Sequence, residues 1–185
     1  MEKGKERYGI SRYFLLVATL SFLGWAFETG YMFLQTGKWQ DRGFMTLPFC
    51  PIYGCSLFAV YLLAGTPDEG RGVLKNIKKR AIRYIFYFLL AFLIPSVAEL
   101  VVGFFFDKAF GIRLWSYIGT PLNLGGYMCV PVSIAWAILI FLFMKFLFTP
   151  IKKFVGKLPL HGARLLSLTL AVLFALDILI HFMRV

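Results

Sequence analysis

Residues 13–34 read YFLLVATLSFLGWAFETGYMFL, and the one charged side chain among them is Glu28. About 20 apolar residues, wound at 1.5 Å per residue, cross a hydrocarbon core of about 30 Å. A carboxylate in such a stretch costs roughly 2.5–3.5 kcal/mol on insertion scales, so it belongs on a face turned to a bundle interior or a watery cavity. This stretch therefore announces both a membrane helix and a polar position inside it.

The same reading extends outward along the chain. Residues 48–65, 84–106, 127–148 and 165–184 are further apolar stretches, and Glu99 and Asp177 repeat the placement of Glu28 near the ends of two of them. The chain is 59% hydrophobic and 16% charged, against about 25% charged in soluble domains. The expected fold class is all-α: a polytopic membrane helical bundle of about five transmembrane helices. It forms a single integral membrane domain over residues 1–185, with 1–12 as its N-terminal segment. The first span is read as retained, because a signal peptide carries only about 7–15 apolar residues before its cleavage site.

The net charge of +11 raises the question of nucleic acid, and its distribution answers it. Fifteen of the 20 Lys and Arg residues lie at the N-terminus (Lys3 to Arg12), after the second span (Arg71 to Arg83) or around the loop after the fourth (Lys145 to Arg164). Only Lys38, Arg42, Lys108, Arg113 and Arg184 fall on the other side. This positive-inside bias is expected to place the N-terminus in the cytoplasm and the C-terminus outside. No nucleic-acid partner is needed to explain it. The lipid bilayer is the implied partner, and the basic clusters suit anionic headgroups; a homo-oligomer is left open.

Candidate site residues follow from helical spacing. On the first span Ser21, Gly24, Trp25 and Glu28 share one face. On the third, Ser96, Glu99 and Gly103 repeat that arrangement, and Pro95 frees a backbone carbonyl. Small residues on that face let helices approach closely, which turns the acids inward. The loops 36–47 and 107–126 are rich in Trp, Tyr, Gly and Arg. Trp39 and Trp115 suit an interfacial aromatic belt, whereas Asp41-Arg42-Gly43-Phe44 suits a loop folded back on the bundle mouth. Arg42 and Arg113 are expected to turn toward the glutamates, since an unpaired buried carboxylate is costly. Asp177 and His181, one turn apart, face together. Two readings stand side by side: a polar cavity that takes a proton, cation or amine, and purely structural pairing.

Cys50, Cys55 and Cys129 form no metal motif and are read as buried free thiols rather than a bridge. No metal, cofactor or catalytic residue is assigned. The chain also suggests a duplication. Glu28, an aromatic stretch, Trp39-Gln40-Asp41-Arg42 and Pro48-Phe49-Cys50-Pro51 are echoed by Glu99, an aromatic stretch, Arg113-Leu114-Trp115-Ser116-Tyr117, Pro121 and Cys129-Val130-Pro131. Helix pairs 1–2 and 3–4 would then be parallel repeats, an arrangement common in transporters.

These runs resemble a known family. Trp25-Ala26-Phe27-Glu28, Asp41-Arg42-Gly43-Phe44 and Pro48-Phe49-Cys50-Pro51-Ile52-Tyr53-Gly54 are similar to the signature of the ABC-transporter type IV membrane family, the CmpB-like permease group. Phe110-Gly111-Ile112-Arg113-Leu114-Trp115-Ser116-Tyr117 and Pro121-Leu122-Asn123 agree in the second half, so that the likeness covers roughly residues 12–148. Asp41, Leu47 and Ser116 depart from its usual Asn, Gly and Asp. The resemblance implies a multi-pass, permease-like protein of a bacterial plasma membrane. It brings Tyr53, Tyr117 and Asn123 into the expected binding set beside Glu28, Glu99, Arg42, Arg113, Trp25 and Trp115.

The expected function is permease-like, with an outward polar cavity for a small polar or cationic solute. No G-x-x-x-x-G-K-[ST] run occurs in these residues, so an ATPase would be a separate partner. The alternatives are a non-catalytic binding or assembly subunit of a cell-envelope complex, and a membrane enzyme acting on a lipid headgroup. The enzyme is the weaker reading, because G-x-S-x-G and H-E-x-x-H are missing from the sequence.

Overall fold

A long apolar run winds into helix because hydrocarbon leaves its backbone no other hydrogen-bond partner. The computed structural model describes residues 8–39 and 45–184. Its helices are α1 (Ile10–Thr36), α2 (Pro51–Ala64), α3 (Arg80–Phe110), α4 (Val130–Phe146), α5 (Phe148–Gly156) and α6 (Leu160–Arg184). The strand pair β1 (Asn123–Leu124) and β2 (Met128–Cys129) lies between α3 and α4. Arg42, with Asp41, Gly43 and Phe44, lies outside the described residues, as does most of the basic N-terminal segment.

Among the described residues three helices are long and apolar enough to cross a membrane, α1, α3 and α6, and α4 with α5 makes a fourth if that pair, bent by 51°, counts as one span. The expected second span is α2, whose 14 residues extend to about 21 Å, short of the 30 Å core. α5 occupies what the sequence suggested was a loop. Lys152 and Lys153 interrupt its apolar residues, so no continuous apolar run marks it in the sequence.

α1 and α3 stop in the same way. Each ends at a glycine in the left-handed conformation, Gly37 (φ 67°) and Gly111 (φ 69°), whose N–H returns to a carbonyl of the last turn. Pro95 sits inside α3 without ending it, and Ser96 Oγ donates to the Phe92 carbonyl at 2.6 Å.

The chain forms two compact units. The first comprises residues 1–54 and 150–185, the second residues 55–149. In the first, α1 packs along α6. Arg12, counted by sequence among the solvated basic residues, is 4% exposed and donates to the Leu158 carbonyl at 2.9 Å. Phe174 of α6 packs against Phe14 and, edge-on at 4.8 Å between ring centres, against Phe49. In the second unit α3 packs along α4. The strand pair turns over Gly125 and Gly126, both at positive φ, with Tyr127 N–H donating to the Leu124 carbonyl at 3.0 Å. Two consecutive positive φ values define a type I′ turn, which only glycine-like residues take without strain. No disulfide joins the three cysteines among the described residues; Cys129 is buried, Cys50 is half-buried, and Cys55, expected to be buried, is exposed at the surface of α2.

Candidate functional site

In the first unit two glycines set the geometry. A side chain added at Gly24 would run into Tyr53 Cβ at 2.6 Å, and one at Gly54 would meet Ser21 Oγ and the Val17 carbonyl. The start of α2 therefore lies directly on α1, and Cys50 N–H donates to the Ser21 carbonyl at 3.1 Å. With its ring on Gly24, Tyr53 reaches one turn along α1 and donates its hydroxyl to Glu28 Oε2 at 2.5 Å. Glu28 is half-buried, and beside it Thr29 is fully buried, its Oγ1 lacking a hydrogen-bond partner among the described residues. Trp25 stacks on Phe22 and meets Trp39 edge-on, so the aromatic cluster lies on the same stretch of α1 as the acid.

Asp177 has a definite task in this unit. It is 7% exposed, and its Oδ2 accepts the Leu47 N–H at 3.0 Å. A buried backbone donor must be satisfied, and this carboxylate ties the chain just before α2 to α6. His181, half-buried one turn further on, belongs to the same helix.

The second unit contains a counterpart that spacing alone did not single out. Gly103 on α3 faces Tyr127 and Trp115, each about 3.3 Å from where its Cβ would stand. One turn later Asp107 Oδ2 accepts the Tyr127 hydroxyl at 2.6 Å. Glycine, then acid one turn on, with a tyrosine ring over the first and its hydroxyl on the second, is the pattern of Gly24, Glu28 and Tyr53. The signal lies in the sequence as G-x-x-x-D against G-x-x-x-E, but the loop expected over 107–126 separates Asp107 from the helix that carries it. α3 runs on to Phe110.

Arg113 meets this cluster. Its Nη2 lies 3.6 Å from Asp107 Oδ2 and its guanidinium 5.5 Å from the Tyr127 ring centre. Trp115 Nε1 donates to the Tyr127 carbonyl at 2.7 Å. Tyr117 donates to Glu99 Oε1 at a long 3.5 Å, a weak bond by geometry. Asn123 is occupied locally: its Nδ2 donates to the Thr120 carbonyl at 2.7 Å and its Oδ1 accepts from Gly126 N–H at 2.9 Å, bracing the turn. The predicted residues thus fall into two sets. Trp25, Glu28 and Tyr53 come together in the first unit, and Arg113, Trp115, Tyr117, Glu99 and Asn123 belong to the second.

Long apolar helices with carboxylates held by tyrosine hydroxyls define a polytopic helical membrane protein. The chain belongs to the family described as "Putative ABC-transporter type IV", whose model matches residues 14–182. Comparison with curated proteins and with solved structures finds no significant match. The family and the apolar helices together give the protein a membrane location and a transporter-like role.

Proposed function

We propose that the protein is the membrane-embedded part of a transport system and that it holds a small polar or cationic solute at tyrosine-held carboxylates on the outward side. The observation that carries this reading is the Tyr53–Glu28 bond, a 2.5 Å hydrogen bond to the one charged side chain of residues 13–34. A carboxylate is expensive in hydrocarbon, and a hydroxyl donor holds it in one orientation without neutralising its charge. Such a group attracts a cation or an ammonium, while the neighbouring Trp25 and Trp39 supply ring faces that favour the same charge. In the second unit Glu99 and Asp107 offer the same chemistry, with Arg113 there to compete for the acid or to take an anionic end of the solute. A separate ATPase would energise transport, in keeping with the family's description.

Binding by the purified protein tests this. Sodium, magnesium, ethanolammonium and spermidine are the probes, read as shifts in melting temperature. At least one should stabilise the wild type, and Glu28→Gln should lose that shift while still inserting and melting cooperatively. A wild type indifferent to all four probes would remove the reading.

A further inference from the structure

The second unit carries a surface that the transport reading does not use. Between α3 and α4 a groove of about 310 Å³ is lined by Tyr84, Ile85, Phe88, Leu89 and Phe141. That volume lies at the small end for ligand sites and suits one slender apolar chain better than a compact solute. The lining is hydrocarbon except for the Tyr84 hydroxyl, which marks one end of the groove. There it donates to Asp68 Oδ1 at 2.6 Å and accepts from Arg80 Nε at 2.7 Å.

Cations collect at that same end. Lys145 Nζ stands 5.0 Å from the Tyr84 ring centre, 5.9 Å from Phe141 and 5.3 Å from Phe146, and forms no salt bridge among the described residues. Arg80 is 65% exposed; Nε and Nη2 are engaged by Tyr84 and Asp68, and its Nη1 donors are unused among the described residues. Arg83 donates to the Pro67 and Asp68 carbonyls, which fixes the loop beneath. Arg80, Arg83 and Lys145 stand at this end against Asp68 and, next along the loop, Glu69, whose Oε2 accepts the Thr66 N–H, so the mouth of the apolar slot keeps an excess of positive charge.

We propose that this groove is a binding site for an anionic phospholipid, one acyl chain lying along Ile85, Leu89 and Phe141 and the phosphate meeting Lys145 and Arg80. Charge complementarity selects the occupant: a zwitterionic headgroup would bring its own cation to a site already positive. Tyr84 joins the two halves of the site, its ring in the groove and its hydroxyl in the polar cluster. The positive-inside bias puts this end in the cytoplasmic leaflet, where anionic lipids concentrate.

Native mass spectrometry of the purified protein tests the site, with phosphatidylglycerol and phosphatidylcholine of identical chains as probes. A basic residue near a lipid surface contributes about 1 kcal/mol, so each phosphate contact should be worth about fivefold in retention. Wild type should retain phosphatidylglycerol at least about fivefold over phosphatidylcholine, and Lys145→Gln should cut that preference by about fivefold while Lys145→Arg keeps it. Ile85→Trp, which fills the groove and leaves the charges alone, should lower retention of both lipids. Equal retention of the two lipids by wild type, an unchanged preference in Lys145→Gln, or stabilisation by inorganic phosphate matching that by the lipid would overturn the proposal.

Discussion

The Tyr53 hydroxyl donates to Glu28 Oε2 at 2.5 Å, and it can do so because Gly24, one turn earlier on α1, leaves room for the tyrosine ring. Packing and polarity are thereby coupled: the close approach of α2 to α1 delivers the donor to the acid. Tyr53→Phe keeps the ring contact and removes only the hydroxyl. A hydrogen bond to a charged group is worth about 1.5–3 kcal/mol, so the variant should lose up to that much stability in detergent. An unchanged unfolding midpoint would mean the bond contributes nothing to the fold.

Gly54 should tolerate even less. A methyl there would strike Ser21 Oγ and the Val17 carbonyl oxygen at 2.5 Å, and overpacking of this kind costs about 1–3 kcal/mol. Because the second obstacle is backbone, Ser21→Ala should not rescue Gly54→Ala. Recovery of wild-type stability in the double variant would show that the helices can part at little cost.

Asp68 supplies a pH signature outside the spans. The Tyr84 hydroxyl first, helped by the Arg80 guanidinium and Lys145, holds its carboxyl below the ordinary range against the opposing effect of burial. A lowered folded pKa contributes stability that is present above the unfolded value of about 3.9 and is lost as pH falls through the folded one. Melting curves from neutral pH down to about pH 3 should show the wild type's advantage over Asp68→Asn vanishing in the acid range. Parallel pH profiles for the two proteins would contradict this pairing.

Class and helix content were legible because apolar length is a strong signal. Glu28, lone in its apolar stretch, was legible as a polar position for the same reason. Three things were hidden. Arg12 looked solvated, yet the turn before α6 brings a carbonyl to it and buries it. Asp177 looked like a third cavity acid, but its partner, the Leu47 N–H, is 130 residues away in sequence and invisible to any helical spacing. Asp107 was lost to a boundary error: α3 runs four residues past its expected end at 106. The shared glycine–acid–tyrosine pattern keeps the two-fold repeat as a proposal, with Gly103 and Asp107 the better match to Gly24 and Glu28 than the pairing of Glu28 with Glu99.

The proposed topology, with the N-terminus inside, rests on the charge bias and can be tested directly. A cysteine introduced at Lys78 should be shielded from a membrane-impermeant thiol reagent in intact cells, and one at Gly119 should react, once the three native cysteines are replaced. Reaction at position 78 would invert the orientation and with it the leaflet assigned to the lipid groove.

The central claim is that Glu28 and Glu99 act on a solute rather than merely hold helices together. Counterflow into proteoliposomes, which requires no ATP hydrolysis, measures this with whichever probe stabilises the purified protein. Glu28→Gln and Glu99→Gln, each confirmed as folded by a cooperative melt, should reduce counterflow to the level of empty vesicles. Folded variants that exchange the solute at the wild-type rate would make both carboxylates structural and contradict the account.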